Sequence, residues 1–205
     1  MAGLEGSGLP RLVLASTNKG KIIEFREILA DLPLELVGAA DFPGIPQVIE
    51  DGSTFAENAV IKASAIAKHT GELTLADDSG LEVDALNGEP GVYSARYGQP
   101  GWDDRERYQF LLKKLQGVAF EKRTARFRCA VALYNPRNNQ INQTDGMVDG
   151  IILDEPKGAN GFGYDPVFYI PELGKTMAEL SAEEKNRYSH RARAVEKLKP
   201  YLKTL

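Results

Sequence analysis

Residues 11–29 read RLVLASTNKGKIIEFREIL, and this stretch changes from a strand pattern to a helix pattern across a few polar residues. The apolar run at residues 11–15 predicts a short buried strand. Ser16, Thr17 and Asn18 follow it, and such residues favour helix N-termini. Apolar residues then recur every three to four positions, which predicts a helix. A strand, a polar turn and a helix in this order indicate an α/β protein.

The rest of the chain continues the mixture of strand and helix patterns. Further strands are predicted at residues 34–37, 73–76, 123–134 and 140–153, and further helices at residues 54–69, at 103–115 and from about 176 onward with a break near Ser189. Thr54 and Glu57 have the spacing of a capping box at the start of the helix at residues 54–69. Residues 135–139, NPRNN, predict a hairpin loop between the two long strands. We therefore expect an α/β fold with an elongated mixed sheet, flanking helices and two lobes around a central cleft, as a single domain over residues 11–205.

Composition excludes several classes of protein. The chain has 205 residues, a formal net charge of −4 and a single cysteine, Cys129. The acidic balance argues against binding a nucleic-acid polymer, and no apolar run reaches the roughly 18 residues that a membrane helix needs. One cysteine and no secretory pattern predict a cytoplasmic protein without internal disulfides. We interpret the glycine-rich residues 1–10 as a disordered tail or an expression scar.

The polar turn after the first predicted strand has the features of an anion site. Its residues are Ser16, Thr17, Asn18, Lys19, Gly20 and Lys21. Free backbone N–H groups and the positive end of the helix dipole favour a phosphate here, and the two lysines add charge. The spacing differs from that of a Walker loop. A well-capped helix with solvated lysines is the alternative interpretation of the turn.

Two adjacent carboxylates, Asp77 and Asp78, follow the predicted strand at residues 73–76. Their mutual repulsion would be offset by a hard divalent cation, for which Mg²⁺ is the simplest candidate. Adjacent residues of a strand point to opposite faces, so both bind one ion directly only if the chain turns there. An acidic turn without a metal is the alternative. Further carboxylates that could complete an oxygen-rich magnesium site are those of Glu50, Asp51 and Glu57.

Residues 158–166, GANGFGYDP, form a glycine-rich segment. Such density lets the backbone approach a ligand closely, and an aromatic ring in it can stack on a base. A long flexible loop is the alternative, but Phe162 and Tyr164 disfavour it because exposed aromatic side chains are unfavourable in a mobile loop.

Residues 185–193, KNRYSHRAR, form a basic segment. Ser189 can cap a new helix, which puts His190 and Arg191 in its first turn. Cations are unfavourable at a helix N-terminus, so a negative ligand would explain them. A solvated basic face is the alternative.

Together these motifs resemble one family, the inosine/xanthosine triphosphate pyrophosphatases, also called the Ham1-like family. The resemblance extends from Leu12 to about Leu202. It is carried, in family order, by residues 16–21, 54–59 (TFAENA) with Lys62, 76–81 (ADDSGL), 90–97 (PGVYSARY), 161–166 (GFGYDP) and 189–191 (SHR). Ser16-Thr17 stands where other members have Thr-Gly, and since both pairs are small and polar we expect phosphate contact to be retained.

The resemblance implies a homodimer with a nucleotide-binding cleft. The implied reaction is the Mg²⁺-dependent hydrolysis of ITP, dITP and XTP to the monophosphate and pyrophosphate, which removes these non-standard purines from the nucleotide pool. Asp78 is the implied general base and metal ligand, with Glu50 and Asp77 as further metal carboxylates. The residues expected to hold the nucleotide are Ser16, Thr17, Asn18, Lys19, Gly20, Lys21, Lys62, Ser79, Phe162, Gly163, Tyr164, Asp165, Lys185, His190 and Arg191.

Two other functions compete with this one. The first is a Maf-like pyrophosphatase, which prefers modified pyrimidines or other bases. The turn at residues 16–21 lacks the Ser-x-Ser-Pro-Arg signature of that group. The second is a nucleotide sensor without catalysis, which Asp77 and Asp78 disfavour because a pure binder gains little from paired carboxylates near phosphate.

Overall fold

A computed structural model describes residues 9–204, and within them a seven-stranded mixed sheet is flanked by helices. The strands are β1 Arg11–Leu14, β2 Glu35–Gly38, β3 Thr74–Val83, β4 Thr124–Asn135, β5 Gln140–Ile152, β6 Phe168–Ile170 and β7 Lys175–Thr176. The α-helices are α1 Lys19–Ile28, α2 Phe55–Thr70, α3 Asp104–Lys114, α4 Ala182–Tyr188 and α5 His190–Leu202. The sheet order is β2-β1-β3-β4-β5-β6-β7, which confirms the predicted α/β fold with a mixed sheet.

Strand β1 lies between two parallel neighbours. Val13 is in register with Val37 of β2 and with Thr74 of β3. Leu12 and Val13 are completely buried. A strand of a parallel sheet is covered on both faces, so it carries a continuous apolar run rather than an alternating pattern. This is why residues 11–15 could be recognised from composition alone.

The chain forms two compact units. In the described residues the first consists of 9–77, 131–144 and 195–204. Its helix α2 is rich in alanine, with Ala59, Ala63 and Ala67 fully buried. Thr54 accepts a hydrogen bond from the Glu57 backbone at the start of α2, and the Glu57 carboxylate accepts from Thr54 in return. This confirms the predicted capping box, which satisfies N–H groups that a helix start leaves open.

The second unit consists of residues 78–130 and 145–194 and has its own apolar core. The Phe127 and Phe168 rings lie 4.4 Å apart, centroid to centroid, within it. Around them are Leu81, Val83, Leu111, Leu115, Ile152, Val167 and Met177. The expected cleft between two lobes stays a prediction.

Two boundaries were predicted wrongly. The last helical region was expected from about residue 176, but Lys175–Thr176 is strand β7 and α4 begins at Ala182. The strand expected at residues 73–76 runs on as β3 to Val83, so Asp77 and Asp78 lie within a strand instead of a turn. Two aspartates, a serine and a glycine have turn composition, but the Leu81 backbone N–H donates to the Ser94 hydroxyl at 2.9 Å and keeps this part of the chain extended. The short strands β6 and β7 were also not predicted, because runs of two or three residues carry no measurable period.

The remaining predictions concern a helix break, an N-terminal tail and membrane helices. The break at Ser189 is confirmed, since α4 ends at Tyr188 and α5 begins at His190. The proposed N-terminal tail falls largely on residues 1–8, which lie outside the described residues. Among residues 9–204, none of the helices has the length and apolar character needed to cross a lipid bilayer.

Candidate active site

The polar turn predicted as an anion site lies between β1 and α1. Asn18 caps α1, since its side chain accepts a hydrogen bond from the Lys21 backbone N–H at 3.1 Å. The Ser16 hydroxyl accepts from the Asn18 N–H at 3.3 Å. Thr17 and Lys19 are exposed, and Gly20 lies in the first turn of the helix. The turn therefore sits at a helix N-terminus, where backbone N–H groups and the helix dipole favour an anion.

Two lysines of the same unit surround Asp77. Lys21 Nζ lies 2.8 Å from the Asp77 carboxylate. Lys62 Nζ donates to the Asp77 carbonyl oxygen at 2.9 Å and also lies 2.9 Å from the Glu50 carboxylate. Lys21, Lys62, Glu50 and Asp77, which the sequence placed far apart, thus form one cluster in which two positive charges balance two negative ones.

The carboxylates of Glu57 and Glu50 have different partners. Glu57, which the sequence left as a possible metal ligand, accepts from the Ser53 hydroxyl and the Ser53 and Thr54 backbone N–H groups. The Ser53 hydroxyl holds the pKa of the Glu57 carboxyl below its ordinary value. Glu57 is therefore a capping residue of α2. Glu50 remains close to the site because Gly52, two residues on, donates to the buried Asn58 side chain at 2.8 Å.

Asp78 and Ser79 belong to the second unit, directly after Asp77 on β3. The Asp78 side chain is 9% exposed, and its Oδ1 accepts from the Ser79 N–H at 3.0 Å. The Ser79 hydroxyl accepts from Arg191 Nη2 at 3.0 Å. Arg191 is in the first turn of α5, so a hydrogen bond joins two of the residues expected to hold the nucleotide within this unit.

The glycine-rich segment folds around a buried ion pair. Asp165 Oδ2 lies 2.6 Å from Lys185 Nζ, and both side chains are less than a tenth exposed. The same oxygen accepts from the Phe162 N–H at 2.9 Å. Gly161 has a φ of +77°, and a Cβ there would lie 2.1 Å from Asp165 Oδ2. Glycine is therefore required at position 161 for both conformation and space.

Phe162 is flanked by cations. The Lys185 ammonium lies 4.7 Å and the Arg191 guanidinium 5.4 Å from its ring centroid. A positive group over an aromatic face is attracted by the ring quadrupole. Phe162, Lys185 and Arg191 are thus brought together as the sequence predicted.

Tyr164 and His190 have side chains directed into the protein. The Tyr164 hydroxyl donates to the Ser94 carbonyl oxygen at 2.8 Å, and burial raises the pKa of this phenol. The His190 ring is buried and stacks on Phe127 at 4.9 Å. Ser94 was part of a quoted motif but was given no role by the sequence. Its hydrogen bonds to Leu81 and Tyr164 tie β3 to the glycine-rich segment.

Magnesium binding depends on which oxygen ligands the protein supplies. Within residues 9–204 no group of three or more His, Cys, Asp or Glu side chains is arranged to hold a metal ion. Mg²⁺ at nucleotide sites is usually bound by one or two carboxylates, with water and substrate phosphates as the remaining ligands. The carboxylates of Asp78, Glu50 and Asp77 are oxygen ligands of this kind, but Asp77 and Asp78 are consecutive residues of β3 and point to opposite faces, so they do not both bind one ion directly. A single carboxylate is enough for a magnesium ion that arrives with a phosphorylated substrate.

These features define an α/β protein with a polar turn at a helix N-terminus, two adjacent acidic residues on β3 and a glycine-rich segment whose Phe162 ring lies beside two cations. A model of the Ham1 family matches residues 12–201. A dITP/XTP pyrophosphatase of Desulforamulus reducens is 52% identical over 195 residues, covering 95% of this chain and 96% of the relative. The solved HAM1 protein of Coxiella burnetii superposes with a TM-score of 0.87 at 44% identity, over 96% of this chain and 100% of that one. The Staphylococcus aureus Ham1 protein gives a TM-score of 0.84, also at 44% identity, over 95% of this chain and 98% of that one. The chain belongs to the Ham1 family.

Proposed function

We propose that this protein hydrolyses the non-standard purine nucleoside triphosphates ITP, dITP and XTP to the monophosphate and pyrophosphate. The observation that carries the proposal is the cluster of Lys21 and Lys62 around Asp77, immediately before Asp78 on β3. Lys21 and Lys62 supply counter-charges for a polyphosphate, and Asp78, the residue after Asp77, supplies a carboxylate for water activation. The family membership supports the same reaction.

The lysines neutralise the triphosphate. In the substrate-free protein Lys21 is held by Asp77, and Lys62 by Glu50 and the Asp77 carbonyl group. A triphosphate offers these ammonium groups stronger partners. Their transfer to phosphate oxygens would leave the Glu50 carboxylate available as a metal ligand. Preorganised positive charge of this kind stabilises the charge that develops on phosphate during the reaction.

Asp78 acts as the general base. It orients a water molecule and accepts its proton as that water attacks the α-phosphorus, and pyrophosphate leaves. General-base help of this kind contributes about 100- to 10,000-fold to the rate. Asp78, with Glu50 as a further carboxylate, would hold a magnesium ion, which would supply Lewis-acid stabilisation of the phosphate oxygens. Asp77 points to the opposite face of β3 from Asp78 and would not bind the same ion directly.

Residues of the glycine-rich segment and of α5 select the base. Phe162 stacks on the purine, and Lys185 and Arg191 already lie against its ring. Arg191 donates hydrogen bonds but accepts none. A 6-oxo group accepts such a bond, whereas the 6-amino group of adenine leaves a donor facing a donor, which gives large discrimination. His190 lies beside Arg191 and contributes either a ring N–H or its backbone amide.

We further propose that the protein is a cytoplasmic homodimer that binds neither a nucleic-acid polymer nor a membrane. The family resemblance supports the dimer, the net charge of −4 disfavours a polyanionic partner, and the single buried Cys129 suits a reducing compartment. Light scattering in solution tests the dimer, and a monomer at working concentration would contradict it.

A substrate panel tests the reaction. ITP, dITP and XTP are compared with ATP, GTP and dTTP, with monophosphate and pyrophosphate measured separately, with and without Mg²⁺. We expect pyrophosphate release from the first three alone. Preferred hydrolysis of a pyrimidine would favour the Maf-like alternative, and tight binding without pyrophosphate release would favour a sensor.

A further inference from the structure

The two backbone amides that flank Phe162 are both clamped by carboxylates. The Phe162 N–H donates to Asp165 Oδ2 at 2.9 Å. The next amide, the N–H of Gly163, donates to Asp104 Oδ2 at 2.7 Å. Together these bonds fix the peptide planes before and after the ring and so limit the directions in which the ring can point.

The two clamps differ in their surroundings. Asp165 is buried and paired with Lys185, so it belongs to the core of the segment. Asp104 lies at the start of α3, 59 residues away in sequence, and its side chain is 54% exposed. Removing Asp165 would remove a carboxylate that lies 2.6 Å from Lys185, whose side chain is 7% exposed, whereas removing Asp104 removes one that lies 3.6 Å from Arg107, whose side chain is 16% exposed. The cost to stability is therefore expected to be larger for Asp165.

Asp104 is not needed to start its own helix. The N-cap of α3 is Asp103, whose Oδ1 accepts from the Glu106 backbone N–H at 2.8 Å, and Glu106 completes the capping box. Asp104 lies 3.6 Å from Arg107, a contact that helps hold the carboxylate on the glycine-rich segment. A carboxylate in the first turn already favours the helix dipole, but the dipole does not require the contact with Gly163.

We propose that Asp104 is a positioning residue for base recognition, which acts by holding the Phe162–Gly163 peptide so that the Phe162 ring faces the purine. The inference rests on the proposed function, because it assigns Phe162 to the base. Nothing in the phosphate-side cluster of Lys21, Lys62 and Asp77 depends on this contact. Loss of Asp104 therefore weakens recognition of the base and leaves recognition of the phosphates intact.

The test separates base binding from phosphate binding by using the two products as inhibitors. IMP carries the base, and inorganic pyrophosphate does not. In Asp104→Ala we expect the KM for ITP and the Ki for IMP to rise about 5- to 10-fold, the effect of losing one hydrogen bond to a charged group at a half-exposed site. The kcat and the Ki for pyrophosphate stay within about twofold. Asp104→Asn keeps an acceptor oxygen and restores most of the loss.

Asp103→Ala is the matched control, because it removes an aspartate from the same helix end but leaves the acceptor for Gly163. Its thermal midpoint falls while the Ki for IMP stays near wild type. Unchanged constants in Asp104→Ala, equal increases for IMP and pyrophosphate, or no recovery in Asp104→Asn would each overturn the proposal. If wild type binds IMP but releases no pyrophosphate from ITP, the proposed function fails while the effect of Asp104 on IMP affinity can still be measured.

Discussion

Lys21 Nζ lies 2.8 Å from the carboxylate of Asp77, whose side chain is 1% exposed. The lysine lies in the first turn of α1, after the polar turn that follows β1, and the aspartate lies on the neighbouring strand β3. The contact fixes a cation beside the turn before any ligand is bound. It also stabilises a carboxylate that would otherwise be costly to bury.

Loss of this lysine should therefore destabilise the fold as well as the activity. Lys21→Met removes the ammonium group that lies 2.8 Å from the buried Asp77 carboxylate and should lower the free energy of unfolding by about 3 kcal/mol. Urea denaturation measures the change. Arg187→Met removes the surface pair with Glu183, in which both side chains are more than two thirds exposed, and should cost less than about 0.5 kcal/mol. Equal losses in the two variants would contradict the structural role of the Lys21 pair.

Asp78→Asn should abolish turnover and leave nucleotide binding in place. The amide keeps the size of the side chain but cannot accept a proton, so we expect a fall in kcat of at least about 100-fold. Steady-state release of pyrophosphate and calorimetric binding of ITP measure the two effects. Asp84→Asn is the control, since Asp84 pairs with Arg126 outside the candidate site. More than a tenth of wild-type activity in Asp78→Asn would exclude Asp78 as the base.

Removal of divalent cations should stop hydrolysis completely. The carboxylates expected near the phosphates would repel them, because like charges repel, and a divalent cation would offset this repulsion. Excess EDTA should abolish pyrophosphate release from ITP, and added Mg²⁺ should restore it. Undiminished hydrolysis in EDTA would rule out the metal.

Gly146 of β5 should tolerate no side chain. A Cβ there would lie 2.1 Å from the His190 carbonyl oxygen and 2.5 Å from the Ala194 nitrogen, so the first turns of α5 rest directly on this strand. Gly146→Ala should cost about 2–3 kcal/mol through overpacking and should displace His190 and Arg191.

Chemical denaturation and the KM for ITP measure the two consequences for Gly146→Ala. Gly117→Ala is its control, because that glycine has a φ of +79° but no neighbour within 4 Å of an added Cβ. Gly117→Ala should lower the free energy of unfolding by about 1 kcal/mol through backbone strain alone, and it should leave the KM for ITP unchanged. A Gly146 variant as stable as the Gly117 variant would show that α5 can shift at little cost.

Stability at alkaline pH should depend on Tyr164. Burial raises the pKa of its phenol in the folded protein, so the unfolded chain loses this proton first as the pH rises. The free energy of unfolding should therefore begin to fall above about pH 10, the ordinary tyrosine value. Tyr164→Phe removes the phenol, so the decrease in the free energy of unfolding that this group causes at high pH should be absent. Denaturation at pH 8 and pH 10.5 compares the two proteins, and identical slopes would contradict a buried neutral phenol.

Local patterns predicted many elements correctly. The capping residues Asn18 and Thr54 and the break at Ser189 were recognised because each depends on neighbours within four positions. The end of β3 was predicted wrongly because local patterns take no account of contacts with residues distant in sequence. Its Asp77-Asp78-Ser79-Gly80 composition favours a turn, and the strand persists through contacts with residues distant in sequence, including Ser94.

The sequence by itself determined the α/β class, the family and the identity of the polar clusters, because these depend on residue types and short spacings. Tertiary structure decided which members of each cluster meet. It placed Glu50 on Lys62 and committed Glu57 to a helix cap, turned Tyr164 into the core, and brought Asp104 to Gly163 across 59 residues of chain. Such contacts form when strands and helices pack against each other, and they cannot be inferred from a periodicity of two or 3.6 residues in the sequence.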